Sequence, residues 1–143
     1  MTLLEVLARG AGAIAAYAAV GVVLLIIGFY VIDWATPGKL SEIIRTERNA
    51  NATLLTMSAL AAIGLIVAAS IRASGGQLAE GLAGTAVFGL VGIVVQTVAM
   101  LVFDKVVGIS VRELVKEPEL QPGARLLAVT HVAIGLITAV AVI

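Results

Sequence analysis

The chain contains no cysteine and a single histidine. Without cysteine there are no disulfides, thiolate-ligated metals or thiol nucleophiles. One histidine without nearby carboxylates cannot assemble a usual zinc site, and because it lies in an apolar run it cannot complete a Ser/His/Asp set. Charge is equally scarce: 13% of residues are Asp, Glu, Lys or Arg, against about a quarter in an ordinary soluble domain. Nine basic residues are balanced by nine acidic ones, so no basic face exists to hold nucleic acid. Neither a Gly-Lys-Ser/Thr phosphate loop nor a Gly-x-Gly-x-x-Gly turn occurs. The chain is therefore read as no enzyme, with no catalytic residue, cofactor site or metal site and no nucleic-acid partner.

Apolar residues fill the space these absences leave. They make up 61% of 143 residues, and the mean hydropathy is +1.14. Such a composition has too little polar surface to face water all round. Four segments hold no Asp, Glu, Lys or Arg: 11–32, 52–71, 82–103 and 126–143. A bilayer core of about 30 Å needs about 20 helical residues. Hydrocarbon offers backbone amides no partner outside the segment, and four spans cannot close a barrel, so each is expected to be a helix. The leader before the first segment has one Glu and one Arg, too feeble a positive region for a signal peptide, and the run is longer than usual for one. It is read as a retained span, and the lipid bilayer as the chain's first partner.

The cations are unevenly placed. Lys39, Arg45 and Arg48 lie in the connection after the first segment, and Lys105, Arg112, Lys116 and Arg125 in the one after the third; the opposite side has Arg9 and Arg72. The excess of Lys and Arg predicts that both charged loops are cytoplasmic and both termini outside. Phe29, Tyr30 and Trp34 fit an aromatic belt at the inner interface.

A shift of 71 residues lines the chain up with itself without a gap. Asp33 falls on Asp104, Glu42 on Glu113, Arg45 on Lys116, Gly21 on Gly92, and "AIGLI" at 62–66 on "AIGLI" at 133–137. Matched charges and a pentapeptide in one register predict a duplicated hairpin, 1–71 and 72–143, forming one membrane domain. The expected fold is thus all-α: four transmembrane helices in two repeated hairpins, each with a short cytoplasmic amphipathic helix. Two spans per unit give both units the same orientation, unlike inverted transporter repeats.

Within the first connection, Thr36 reads as an N-cap and Pro37 as the first residue of the amphipathic helix. In the second, Ser110 and Glu113 fit a capping box, with the helix ending before Pro118. These helices either position the next span or offer a face to a cytoplasmic protein partner. Gly81, Thr85, Gly89 and Gly92 follow 4-4-3 spacing along one face of the third span, a stripe that permits close helix approach. It could serve contacts inside the chain or between chains; four short spans have little internal surface, so a homo-oligomer is expected.

The intramembrane polar residues are few. Gln96 and His131 lie at similar depth in the third and fourth spans and are expected to hydrogen bond, either as a structural pair or as a proton relay. Leu25 and Leu60 occupy the matching positions of the first unit. The duplicated Asp33 and Asp104 either cap span ends or line a cytoplasmic cation vestibule. Thr53, Thr56 and Ser58 can bond their own helix carbonyls.

The stretch "DWATPGKLSEIIRTERNANATLL…AAIGLI" resembles a bacterial membrane family known as domain of unknown function three-fifty. The resemblance covers essentially the whole chain and rests on Asp33, Thr36, Pro37, Glu47 and Asn49, with a departure at 51–53. It implies four spans and a bacterial inner-membrane location, but no activity. Two functions therefore stand open: a self-associating, non-enzymatic membrane component, or an oligomeric ion or small-solute pathway.

Overall fold

The computed structural model describes residues 2–142. Met1 and Ile143, the outer limits of the expected repeats and of the fourth expected span, lie outside the described residues. The chain runs as α1 (Leu3–Ala35), α2 (Leu40–Arg45), α3 (Ala50–Ala73), α4 (Leu78–Val107), α5 (Val111–Leu114) and α6 (Pro122–Val142). The four long helices are each apolar and long enough to cross a bilayer. The protein is a multi-pass, membrane-embedded helical protein.

The long helices outrun the expected spans because their caps lie beyond the apolar runs. Helix α1 starts at Leu3, not at Ala11, because Thr2 and Glu5 form a capping box: the Thr2 amide donates to the Glu5 carboxylate at 2.9 Å and the Glu5 amide to Thr2 Oγ1 at 3.3 Å. Its 33 residues span about 50 Å at 1.5 Å per residue, more than the hydrocarbon needs. Helix α4 stops at Gly108, whose φ of +73° is the left-handed C-cap geometry that glycine adopts without strain. Helix α6 opens on Pro122, whose missing N–H costs nothing there, so Arg125 belongs to the helix and not to the connection.

The first connection folds differently from its expected caps. Thr36 ends α1: its amide and its hydroxyl both donate to the Ile32 carbonyl, at 3.0 and 2.8 Å. Pro37 lies in the bend that follows and is not helical. Gly38, at φ +93°, breaks the helical path, so α2 begins only at Leu40. Its first amide is capped from outside, donating to Asp33 Oδ1 at 2.7 Å. At α5 the Glu113 amide donates to Ser110 Oγ at 3.4 Å; one half of the expected capping box is formed.

Helix α3 is the hub, packed against α1, α4 and α6, while α4 also touches α1 and α6. Helices α3 and α4 form the centre of the bundle, and α1 and α6 each pack against both. Glycines set the separations. A Cβ on Gly135 of α6 would meet the Ala62 backbone of α3, with Cα at 2.6 Å and O at 3.1 Å. Gly28 of α1 receives Ile63 of α3, and Gly92 of α4 receives Ile66 of α3. Lipid tails compete equally for large apolar side chains, so association in hydrocarbon depends on such close approach. Leu40 and Ile43 of α2 bury against Ala52 and Val115, while Lys39 and Glu42 stay exposed.

Candidate functional site

At the end of the bundle that carries α2 and α5, a cavity of about 120 Å³ lies among α1, α3, α4 and α6. Most of its wall is apolar. Six polar side chains line it: Thr36, Thr56, Gln96, Thr97, Asp104 and His131. Leu40 of α2, with Val111 and Val115 at α5, bounds it on the loop side. By this measure a water needs about 10–15 Å³, so the cavity has room for a small hydrated solute.

Gln96 and His131 meet, but not ring to amide. Gln96 Nε2 donates to the His131 backbone carbonyl at 2.9 Å, tying α4 to α6. The imidazole turns the other way, its Nδ1 3.0 Å from Ser58 Oγ on α3. Ser58 thus does more than satisfy its own helix, although its hydroxyl also reaches the Leu55 carbonyl at 2.9 Å. Thr53 and Thr56 bond only the carbonyls of Asn49 and Ala52.

Two oxygens at this site are buried without a donor: Gln96 Oε1 and Asp104 Oδ1. Gln96 as a whole is 4% exposed. A buried acceptor left unpaired costs about 1–3 kcal/mol, so native structures keep few of them and each calls for an explanation. The duplicated aspartates have parted company. Asp33 is engaged at the start of α2 and does not line the cavity, whereas Asp104 lines it with a free oxygen. Among the described residues, no group of three or more His, Asp or Glu could hold a metal ion.

A pair of asparagines closes the loop side. Asn49 Nδ2 donates to the carbonyls of Val115 and Glu117 at 2.9 and 3.0 Å. Asn51 Nδ2 donates to Glu117 and Glu119 at 3.0 and 2.8 Å, and Asn51 Oδ1 accepts from the Gln121 amide at 2.8 Å. Asn49 Oδ1 still caps α3 through the Ala52 amide at 2.8 Å. The start of α3 therefore grips the whole segment between α5 and α6, and Val115 on that segment is part of the cavity wall.

Residues 4–142 match the family model described as Domain of Unknown Function, DUF350. The chain belongs to the DUF350 family. It is 38% identical over 134 residues to a UPF0719 transmembrane protein of Mycolicibacterium paratuberculosis, covering 94% of this chain and 89% of the relative. It is 34% identical over 133 residues to UPF0719 transmembrane proteins of Mycobacterium bovis and Mycobacterium tuberculosis, covering 93% of this chain and 88% of each. No solved structure matches.

In this DUF350 chain the α4 stripe is spent internally. Gly81 faces Tyr17 and Gly89 faces Leu24 of α1, Gly92 faces Ile66 of α3, and Thr85 is fully buried with its hydroxyl 3.0 Å from Ser74 Oγ. A homo-oligomer does not follow from that stripe, because its face is already occupied. Sequence reasoning passed over Asn49, Asn51 and Ser58 as site builders. The available signal was two amides spaced by two at the start of an apolar helix, more polarity than one N-cap requires.

Proposed function

We propose that this DUF350 chain is a small, non-enzymatic component of the bacterial inner membrane that binds a small polar solute or ion at the few polar groups of its cavity, as one station of a transport path. The observation that carries this reading is the pair of buried, unpaired oxygens, Gln96 Oε1 and Asp104 Oδ1, on the wall of one cavity. A ligand bringing hydrogen-bond donors would repay their desolvation; a purely structural pair would have been closed by protein donors.

The reading includes a sidedness and an ancestry. Cation counts favour a cytoplasmic position for α2, α5 and the cavity mouth. Duplication is supported by the 71-residue register of Leu40 and Val111, which open α2 and α5. It is supported again by Leu25 and Leu60, which line a groove between α1 and α3 where the second unit has Gln96 and His131. On this view the first hairpin kept an apolar interior and a structural aspartate, and the second became the binding half.

The cysteine-free chain makes the test direct. Thr97→Cys, on the cavity wall, and Val98→Cys, on the outer face of α4, are each treated with a membrane-impermeant maleimide in intact cells and in inverted membranes. Thr97→Cys should react at least tenfold faster than Val98→Cys, and only in inverted membranes. Equal rates, or labelling of Thr97→Cys from outside the cell, would sink the proposal.

A further inference from the structure

Helices α3 and α6, which the 71-residue register pairs, touch through unlike faces. Ala62 of α3 meets Gly135 of α6, and Ile66 of α3 clusters with Ala139 of α6. At about 100° per residue, Ala62 and Gly64 lie on opposite sides of α3, and Ala133 and Gly135 on opposite sides of α6. Shifted by 71, the buried Ala62 and Ile66 become Ala133 and Ile137, while the buried Gly135 and Ala139 become Gly64 and Ala68. All four counterparts are bare: Ala133 and Ala68 are exposed, Ile137 is 70% exposed, and Gly64 has nothing within 4 Å of where a Cβ would stand. Each "AIGLI" thus keeps idle the residues that the other one packs. A mid-helix glycine weakens a helix relative to alanine, and within one chain Gly64 has no close approach to set against that cost. The groove between the spans of each hairpin divides in the same way. Helix α3 fills the groove of the second hairpin, packing Ile63 on Ile93 and Leu55 on Met100. The matching groove between α1 and α3 is open, and Val22, the counterpart of Ile93, is 55% exposed there. Likewise Tyr17 covers Gly81, whereas their counterparts Phe88 and Gly10 are both uncovered.

We infer that the chain binds further copies of itself head to tail, through a repeat of the contact that already joins its two hairpins. Helix α6 of one copy seats Ala133 and Ile137 on Gly64 and Ala68 in the α1–α3 groove of the next, and Phe88 comes to lie on the neighbour's Gly10. The occupant is a second copy because Ala133 and Ile137 repeat, in identity and spacing, the α3 residues that pack on the matching positions inside the chain. Each hairpin crosses twice, so repeating the step keeps every copy the same way up in the bilayer. Two different faces of the chain meet, so the contact is heterologous and builds a ring or a strand of copies in place of a two-fold dimer. Lipid tails compete equally for Ile137, but the close backbone approach that Gly64 permits favours a helix. This inference rests on the duplication proposed above and not on the cavity holding a ligand, so neither test decides the other.

Two single-cysteine forms of the full chain, Ala68→Cys and Ile137→Cys, are given different tags and co-expressed, and their membranes are oxidised before solubilisation. Disulfide-linked dimers bearing both tags should form severalfold more than from Ala68→Cys with Leu136→Cys, a position also exposed on α6 but outside this face. Neither form expressed alone should give a dimer, since a head-to-tail contact never brings a face onto itself. Gly64→Leu in the Ala68→Cys copy should abolish the mixed dimer, and in the otherwise unsubstituted chain it should convert oligomers to monomers in native mass spectrometry from lipid nanodiscs. Should Gly64→Leu express poorly, Ala133→Leu in the Ile137→Cys copy makes the same test from the opposite face. Equal yields for Ile137→Cys and Leu136→Cys, or mixed dimers that both leucine variants leave unchanged, overturn the inference. So do dimers from one form alone, which a two-fold contact would produce, and monomers only in nanodiscs, the outcome if lipid fills the groove.

Discussion

Removing the Asn51 carboxamide should loosen the two halves of the chain from each other more than any other single polar change. Asn51 is 0% exposed and makes three hydrogen bonds across a sequence separation of 66–70 residues: two from Nδ2 to the carbonyls of Glu117 and Glu119, one at Oδ1 from the Gln121 amide. Each is worth about 1 kcal/mol net. Glu117 keeps its bond from Asn49, which softens one loss, while the vacated volume adds to the others. Asn51→Ala should therefore cost about 3 kcal/mol, on the order of a hundredfold in the folding equilibrium. Reversible unfolding in mixed micelles measures the loss, and hydrogen exchange at the Gln121 amide should rise with it. Asn51→Asp makes the sharper comparison. It keeps the acceptor for Gln121 but turns the two donors into a charged oxygen facing carbonyls, so it should be worse than alanine. A loss under about 0.5 kcal/mol for Asn51→Ala, with Gln121 exchange unchanged, would refute the clamp.

The other expected outcomes use the same unfolding measurement. Gly64 and Gly135 occupy matching places in the repeated "AIGLI", yet Gly64 has open space where a Cβ would go and Gly135 abuts the Ala62 backbone. Gly135→Leu should destabilise by several kcal/mol or prevent folding, as overpacking against backbone does, whereas Gly64→Leu should fold normally; equal effects would mean that α3 and α6 do not pack this way. Asp33→Ala should cost about 1 kcal/mol, the usual worth of a helix cap, and raise exchange at the Leu40 amide. A double-mutant cycle on Ser58→Ala and His131→Ala should return a coupling of about 0.6 kcal/mol, typical of interhelical bonds in membranes; zero coupling would mean that the contact between α3 and α6 through these side chains is not formed. The exposed Lys116–Glu113 pair, 3.2 Å apart, should contribute under about 0.5 kcal/mol.

Local features of the sequence located most elements and the Ser110 cap of α5, but misplaced the start of α2. The four apolar runs found the four long helices, because crossing hydrocarbon imposes a length and a composition that can be counted along the chain. The caps were harder. Thr36-Pro37 looks like a helix start by residue type, but Gly38 takes a left-handed conformation and Asp33 reaches seven residues ahead to cap Leu40 instead. The Thr2–Glu5 capping box was legible in principle and was hidden by attention to the apolar run after it.

What the amino-acid order settled without help was the multi-pass helical character of the chain, its family and the scarcity of polar groups within the spans. Each of these depends on composition, period or motif within one stretch of chain. What only the tertiary structure decided was the partner of each polar atom: Gln96 on a backbone carbonyl, His131 on Ser58, the asparagines on a linker some 66–70 residues away, and Asp104 with an oxygen left over. Those outcomes differ because hydrophobicity acts by amount, whereas a hydrogen bond acts by position and direction, and position exists only once helices distant in sequence have packed.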